Sequence, residues 1–344
     1  MIRMKALTNL HHDDGVTLFP SLASLQPDGQ AWRVAVSGIV FRDGQLTLGK
    51  KLILGILRRA MRASREELES ELFRHRVRGF MVDAVKGKRL AVRIGNEIYP
   101  LACRTKRSGL FFEDLLLPVD RLAFATEQDA AAMSISLVDA DGDDFGPAGQ
   151  IQLMPRHGVS VISDIDDTVK ETFVHERRAM LANTFLREFL PVAGMVELYR
   201  RWHERGARFH YVSSSPWQLY EPLARHFADI ALPTGSFHLR AFRLRDHMLR
   251  RIFLGRRPAK GVVIRSILQR FPQRQFVLVG DSGEYDPEIY GAIARRFPAQ
   301  VASILIRRVP GQKAVPFRWQ RAFRNLPTSQ WQLFDTADEI AGVV

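Results

Sequence analysis

Two patterns of apolar positions divide the chain. Between residues 32 and 154, short apolar runs of strand length are separated by turn-forming pairs such as Gly95-Asn96, which predicts a β-meander. From residue 159 onward, strand-like runs alternate with stretches of helical length, a pattern typical of βαβ units and a parallel sheet. The sequence therefore predicts a β-sandwich-like domain followed by an α/β domain.

The bounds of the predicted elements follow from these runs. In the first domain we predict strands at 34–41, 80–85, 90–94, 97–101, 110–117 and 133–138, with a helical insert near 50–75. In the second domain we predict a first strand that begins at 159 and further strands at 209–213, 275–279 and 301–306. The helices of this domain are predicted at 175–189, 195–205, 218–226, 260–271 and 287–297. Gly146-Pro147 is a boundary signal, so we expect a leader at 1–30, the β-rich domain at 31–150 and the α/β domain at 155–344.

The first strand of the α/β domain ends in acidic residues. Asp164, Asp166 and Asp167 follow a run of Val and Ile residues, and open α/β sheets place their chemistry at the carboxyl ends of strands. Asp164 and Asp166 are two residues apart, so in an extended backbone both side chains project to the same side. Because their charges repel unless a cation lies between them, the pair predicts a divalent metal, and oxygen ligands suit Mg²⁺. The alternatives are a polar turn or a Ca²⁺ loop, although an EF-hand is excluded because Val169 stands at its glycine position.

Composition changes this picture mainly through charge. The chain has 344 residues, with 50 Lys and Arg against 37 Asp and Glu and a net charge of +13, which favours polyanions such as nucleic acid, an anionic membrane or a phosphorylated substrate. A single cysteine, Cys103, excludes an internal disulfide and fits a reducing compartment. No apolar run approaches the ~20 residues that span a bilayer, and residues 1–20 have no signal-peptide core. We therefore expect a cytoplasmic protein.

The acidic stretch resembles a known family. The run Asp164-Ile165-Asp166-Asp167-Thr168 is similar to the DxDxT signature of haloacid-dehalogenase-superfamily phosphatases. The longer string from Ser163 to Lys170 resembles the actin-patch-type phosphatidate phosphatases, which are related to the lipins. Lipins carry Gly where this chain has Asp167, so the actin-patch-type branch is the closer match. The resemblance implies a Rossmann-like haloacid-dehalogenase catalytic domain with a parallel sheet in the C-terminal half of the chain.

Three further segments resemble the family in the order expected. The strand at 209–213 ends in Ser213 and continues into a loop that begins with Ser214. Lys260 stands where the family has a lysine that screens the nucleophile from the phosphate, with Arg257 as the alternative. After the strand at 275–279 come the two remaining acids of the site, Asp281 and Asp286.

The resemblance implies a reaction in two steps. Asp164 attacks phosphorus, and Asp166 protonates the leaving alkoxide and later deprotonates the water that cleaves the aspartyl-phosphate. The metal, Mg²⁺, is expected at Asp164, the Asp166 main-chain carbonyl and Asp281, with Asp286 as a second acidic partner. The residues expected to contact the phosphoryl group are Thr168, Ser213, Ser214 and Lys260.

Access to the site bears on the substrate. The short intervals between Asp164, Ser213 and Lys260 leave no room for a large cap, and an open site suits a large or membrane-embedded phosphate ester. The resemblance implies phosphatidate as substrate and diacylglycerol and phosphate as products. Nucleic acid is not the favoured partner. The interval between Ser213 and Lys260 holds an arginine-rich insert, which would attract an anionic phospholipid surface. Its arginines are Arg240, Arg243, Arg245, Arg250, Arg251, Arg256 and Arg257.

Two other functions remain open. One is a phosphatase of the same chemistry that acts on a phosphoprotein or a nucleic-acid end, because both also fit an open basic site. The other is a non-enzymatic module that binds anionic lipid. The intact pair of Asp164 and Asp166 argues against that module.

The segment at residues 50–65 allows two interpretations. Its apolar residues recur at helical spacing and form one stripe, at Ile53, Ile56, Leu57, Ala60 and Met61. The segment is either a helix packed on the β-rich domain with a solvated basic face, or an interfacial helix that holds the protein peripherally on an anionic membrane. The packed helix is the favoured interpretation.

Overall fold

The computed structural model describes residues 7–45, 47–122, 132–240, 257–312 and 316–344. The chain forms two units. The first comprises Met1–Gln45, Met81–Arg156 and Gly235–Phe237, and the second comprises Leu46–Phe80, His157–Thr234 and His238–Val344. The helical segment that interrupts the β-rich part of the sequence therefore groups with the second unit.

The first unit is a β structure. Its described strands are β1 (Gly15–Leu18), β2 (Ser21–Leu25), β3 (Ala31–Arg42), β4 (Asp83–Ala84), β5 (Arg89–Ile94), β6 (Glu97–Arg104), β7 (Leu110–Pro118), β8 (Ala132–Val138) and β9 (Asp144–Met154). They form one sheet in the order β1-β3-β2-β9-β8-β5-β6, with β4 and β7 also paired to β3.

This sheet differs from the expected β-sandwich. Strand β3 is 12 residues long and pairs with β1, β2, β4 and β7 at different points along its length. Because β3 joins strands that a sandwich would divide between two sheets, the described strands form one continuous curled sheet. Its core contains Trp32, Val34, Val92 and Ile151, each buried.

The second unit is an α/β structure with a parallel sheet. Its strands are β10 (Val159–Ser163), β11 (Arg208–Pro216), β12 (Gly235–Arg240), β13 (Gln275–Asp281), β14 (Val301–Arg307) and β15 (Trp331–Phe334), in the order β12-β11-β10-β13-β14-β15. Parallel pairing joins β11, β10, β13, β14 and β15 in turn. The α/β class and the parallel sheet are confirmed.

The described helices lie between and before these strands. They are α1 (Leu48–Met61), α2 (Arg65–Glu69), α3 (Glu71–Met81), α4 (Arg177–Phe185), α5 (Met195–Glu204), α6 (Tyr220–Asp229), α7 (Arg257–Arg270), α8 (Asp286–Arg296) and α9 (Pro316–Ala322). In the part of the chain that the structure describes, no helix is both long and apolar enough to cross a bilayer.

The strand predicted at residues 80–85 is wrong. Helix α3 continues through Phe80, and only Asp83 and Ala84 are extended. Phe73, Val77 and Phe80 are buried at helical spacing, so the helical period of the longer segment prevails over the short apolar run.

Helix α1 packs with its apolar stripe inward. Ile53, Leu57 and Met61 are each 2% exposed, and the helix packs against α4. The Arg178 side chain of α4 donates a hydrogen bond from Nε to the Met61 carbonyl at 3.3 Å. The structure therefore supports the packed helix, with α4 of the second unit as the surface that it covers.

Candidate active site

The strand order of the parallel sheet reverses at β10. The chain passes from β10 to β11 on one side, whereas β13 pairs with the other side of β10. The carboxyl ends of β10 and β13 therefore form a topological switch point, where open α/β sheets bind ligands. Asp164 directly follows β10 and donates its backbone N–H to the Val279 carbonyl at 2.9 Å, and Asp281 is the last residue of β13.

Three buried carboxyl groups and one amine lie at this point. Asp164, Asp281 and Asp286 each place one oxygen within 4.8 Å of the others, and none of the three is more than 1% exposed. Nζ of Lys260 lies 2.8 Å from Oδ1 of Asp164 and also contacts Oδ1 of Asp286. The structure thus brings together four residues that the family resemblance implies.

Burial and neighbouring charges act on these groups in opposite directions. Burial raises the pKa of Asp164 and of Asp281 well above the usual value; Lys260 opposes this rise, and the neighbouring carboxylates add to it. Burial lowers the pKa of Lys260, but Asp164 and Asp286 raise it, and the net shift is upward. One ammonium group cannot neutralise three carboxylates, so the cluster favours a further cation.

The donor set fits a hard divalent cation. Among the described residues, both carboxylate oxygens of Asp164 and Oδ2 of Asp281 are buried without accepting a hydrogen bond; the approach of Lys260 is an ion-pair contact without hydrogen-bond alignment. Buried oxygens without partners are costly, and carboxylate oxygens are the ligands that Mg²⁺ prefers. Asp164, Asp281 and Asp286 could therefore hold this ion.

The Asp166 side chain lies outside this acidic cluster, in a network of donors. Its Oδ1 accepts a hydrogen bond from Thr172 Oγ1 at 2.8 Å and lies 2.9 Å from Nζ of Lys170. Its Oδ2 accepts hydrogen bonds from Ser215 Oγ at 2.7 Å and Ser213 Oγ at 3.2 Å. Burial raises the pKa of Asp166, but Lys170 and the hydroxyl donors lower it more, to about 2. The carboxylate is therefore ionised at neutral pH.

The loop between these clusters is shaped by Asp167. Its φ of 55° lies in the left-handed region, which Gly, Asn and Asp tolerate best. Its Oδ1 accepts hydrogen bonds from the backbone N–H groups of Thr172 and Phe173, and Oδ2 accepts one from Val174, each at 2.7 Å. These bonds turn the chain back and bring Thr172 to Asp166.

The expected phosphoryl-binding residues lie beside this network. Thr168 is fully buried, and its Oγ1 has no hydrogen-bond partner among the residues that the structure describes. Ser213 accepts a hydrogen bond from the Ser215 backbone N–H at 2.9 Å, and Ser214 donates one to Glu284 Oε2 at 3.1 Å. Contact of Thr168, Ser213 and Ser214 with substrate stays a prediction, as does the metal contact expected from the Asp166 carbonyl.

Sequence reasoning assigned no role to several residues that lie at the site. Lys170 and Ser215 belong to strings that resemble the family, but their contact with Asp166 depends on the fold of the two loops. Glu284 lies 4.0 Å from Nζ of Lys260. Burial raises the pKa of Glu284, Lys260 lowers it and Asp286 raises it again, to about 7. Its place among the acids that follow β13 is the signal that could have found it.

Most of the arginine-rich insert lies outside the described residues. This holds for Arg243, Arg245, Arg250, Arg251 and Arg256, and the side chain of Arg257 at the start of α7 is not described either. Arg240 is half-buried at the end of β12, where burial lowers its pKa and Glu284 raises it. Of the two candidates for the third catalytic part, Lys260 is the one that the structure places beside Asp164.

Comparisons with known proteins concern the same part of the chain. Residues 159–308 match the family model described as "Phosphatidate phosphatase APP1, catalytic domain". Phosphatidate phosphatase APP1 of Saccharomyces cerevisiae is 36% identical over 174 residues, which cover 49% of this chain and 29% of that protein. Uncharacterized protein C29B5.04c of Schizosaccharomyces pombe is 30% identical over 212 residues, which cover 60% of this chain and 34% of that protein. The chain thus spans about a third of the length of the curated relatives that it matches.

A solved carbohydrate esterase structure aligns over 88% of this chain with 9% identity and a TM-score of 0.23, too low to bear on fold or function. The match to the family model begins at the first residue of β10 and ends just after β14. It includes Asp164, Asp166, Lys260 and Asp281. The resemblance to the actin-patch-type family is confirmed over residues 159–308, the segment that matches the model of the phosphatidate phosphatase APP1 catalytic domain.

Proposed function

We propose that the protein is a Mg²⁺-dependent phosphatidate phosphatase of the haloacid-dehalogenase type. The observation that carries the proposal is the Asp164 carboxylate, which is buried at the switch point, accepts no hydrogen bond from the described residues and lies beside Lys260. Such a carboxylate is costly for the fold, and use as a covalent nucleophile explains that cost. The Saccharomyces cerevisiae relative is named a phosphatidate phosphatase, which points to the same chemistry.

The first step is attack by an Asp164 oxygen on phosphorus. The new O–P bond forms as the bond to the leaving alcohol oxygen breaks, which gives an aspartyl-phosphate. The Lys260 ammonium, 2.8 Å from Asp164, reduces the repulsion between the carboxylate and the incoming phosphate. Mg²⁺, when held by Asp164, Asp281 and Asp286, would offset the rest of that repulsion.

The second function of the site is proton transfer by Asp166. Its pKa of about 2 in this structure keeps the carboxylate ionised, and only the ionised form can accept a proton from water in the hydrolysis step. A bound phosphate dianion adds negative charge beside Asp166 and raises the pKa of Asp166. This favours the protonated form, which donates its proton to the leaving alkoxide. Lys170, Thr172 and the two serines hold this carboxylate in one orientation.

The proposal includes peripheral binding to anionic membrane from the cytoplasmic side. Phosphatidate is a lipid, so a soluble phosphatase meets it at a surface, and a net charge of +13 attracts the protein to anionic headgroups. The buried stripe of α1 leaves the arginine-rich insert as the stronger candidate for that contact.

Side-by-side assays of phosphate release test the proposal. The substrates are phosphatidate in mixed micelles, a phosphopeptide and a 5′-phosphorylated oligonucleotide, each with Mg²⁺ and with EDTA, with Asp164→Asn as the inactive control. We expect hydrolysis of phosphatidate that needs Mg²⁺ and Asp164. Faster turnover of the phosphopeptide or oligonucleotide would keep the chemistry and replace the substrate; liposome binding without any turnover would favour the binding module.

A further inference from the structure

A narrow cleft extends from Asp166 into the second unit. Six of its lining residues are polar: Asp166, Thr172, Thr184, Ser214, Ser215 and Glu284. The other six are apolar and come from four separate segments of the chain: Phe80, Val174, Met180, Phe185, Pro216 and Leu219. Asp164 is not among the residues that line it.

We propose that this cleft binds the first carbons of the leaving alcohol and thereby selects phosphate esters of alkyl alcohols that carry no carboxylate near the ester oxygen. The inference rests on the proposed function, since it requires Asp166 to give its proton to the leaving oxygen. That oxygen must then lie within hydrogen-bond reach of Asp166, and its carbon must continue into whatever space adjoins Asp166. The adjoining space is this cleft, whose lining includes Asp166 and does not include Asp164.

The chemistry of the walls defines what the cleft accepts. Met180, Phe185 and Leu219 are at most 8% exposed and offer no partner to an ionised group, and the cleft also contains the acids Asp166 and Glu284. A carboxylate close to the ester oxygen therefore loses hydration without replacement and is repelled by those acids. The cleft holds about 40 Å³, whereas one water-sized probe needs roughly 10–15 Å³. It therefore admits the first few atoms of an alcohol, such as the glycerol carbons of a phospholipid, and leaves long acyl chains outside.

Part of this selectivity comes from outside the segment that matches the family. Phe80 belongs to α3, is 2% exposed and meets Phe185 edge to face with ring centroids 5.7 Å apart. The preceding residue, Gly79, lies so close to the Gln218 carbonyl that an added Cβ would be 2.2 Å from its oxygen. Close packing of α3 on the loop after β11 thus fixes Phe80 as one wall of the cleft.

The test compares kcat/KM for two monomeric substrates, hexyl phosphate and phosphoserine, in the full chain. We expect the wild type to prefer hexyl phosphate, and Phe80→Ala and Met180→Gln each to lower that preference by roughly tenfold or more, since one methylene in an apolar pocket is worth about 10–200-fold. The matched control is Phe73→Ala, a buried aromatic of the same helix that does not line the cleft, which should keep the wild-type ratio within about twofold.

The outcomes separate the two levels of the proposal. An active wild type whose preference survives both Phe80→Ala and Met180→Gln overturns the inference and leaves the proposed function standing. A wild type that hydrolyses neither alkyl phosphates nor phosphatidate overturns the proposed function and the inference with it. If Phe80→Ala fails to fold, Met180→Gln decides, because it nearly keeps the side-chain volume and changes only polarity.

Discussion

The ammonium nitrogen of Lys260 lies 2.8 Å from Oδ1 of Asp164, while neither oxygen of that carboxylate accepts a hydrogen bond from the described residues. The ammonium group of Lys260 therefore compensates the charge of Asp164, while the lone pairs of the Asp164 carboxylate are not engaged in a hydrogen bond with the described residues. The proposed role of Asp164 as nucleophile needs those lone pairs, and a buried carboxylate needs a compensating charge. One contact satisfies both requirements.

Asp164→Asn is expected to keep the fold and abolish turnover. The amide cannot form an aspartyl-phosphate, and loss of a covalent nucleophile costs several powers of ten in rate. Phosphate release from an aryl phosphate measures the rate, and thermal unfolding verifies the fold. Activity within tenfold of the wild type would rule out Asp164 as nucleophile.

Asp166→Asn should slow substrates with poor leaving groups more than activated ones. An alkoxide leaves only with a proton, whereas a nitrophenolate leaves without one, so the two rates should separate by roughly 10²-fold or more. The measurement is kcat for an alkyl phosphate and for p-nitrophenyl phosphate in both proteins. Equal losses on the two substrates would show that Asp166 has another role.

Mg²⁺ should raise the melting temperature, and removal of the metal with EDTA should lower it. A ligand that binds the native state at about 100 times its Kd adds about 2.7 kcal/mol of stability. Asp281→Asn removes one proposed ligand and should shrink the rise, whereas Asp141→Asn, on an exposed turn, should not. An unchanged wild-type melting temperature at millimolar Mg²⁺ would contradict the site.

Glu284 should make the metal-free protein less stable as the pH rises. Its pKa is raised from 4.5 to about 7 by burial, with Lys260 opposing and Asp286 adding to the shift. Because the native state holds this proton more tightly than the unfolded state, the stabilisation is full below about pH 4.5 and is lost as the pH rises through about 7. Glu284→Gln removes the titration, so the variant should gain stability relative to the wild type across that window.

That comparison has to be made between the two proteins in EDTA. Burial lowers the pKa of His226 and of His238 to about 4, and a lowered histidine pKa stabilises the native state as the pH rises. The histidines therefore oppose Glu284 over part of the same range, but they are common to both proteins and cancel. A melting-temperature difference that stays constant from pH 4.5 to 7.5 would contradict the raised pKa.

Gly79→Ala and Gly55→Ala should have opposite effects on stability. Both glycines lie in helices of the second unit, but a Cβ at Gly79 would be 2.2 Å from the Gln218 carbonyl oxygen, whereas Gly55 has nothing within 4 Å. Overpacking costs about 1–3 kcal/mol, and Ala in an exposed helix gains about 0.5–1 kcal/mol over Gly. Urea unfolding of the two variants measures both changes. Equal effects would show that α3 can move away from its neighbour.

The acids at the strand ends could be predicted from the sequence because the signal is local. A Val and Ile run that stops at Asp164, and a second run that stops at Asp281, mark the ends of buried strands. Parallel sheets place such ends together, so their meeting follows from strand pairing. The arrangement of Lys170 and Thr172 around Asp166 leaves no such signal, because it depends on one left-handed residue, Asp167, that turns the chain.

The contribution of α3 to the cleft could not be predicted from the sequence, for a different reason. Phe80 stands in a short apolar run that resembles a strand, and its partner Phe185 lies more than a hundred residues later in the chain. Neither periodicity nor a motif connects two such positions. Only the packing of the second unit shows that Phe80, which precedes the segment that matches the family model, forms part of the wall of the cleft.

The interleaved order of the units has a consequence during synthesis. A ribosome delivers Leu46–Phe80 before Met81–Arg156, and only then the strands of the second unit. At about 5–20 residues per second, several seconds pass between the synthesis of the apolar residues Ile53, Leu57 and Phe80 and the emergence of α4, against which they pack. Over that interval the nascent chain presents an apolar helix face with no partner yet made, which is the kind of surface that chaperones bind.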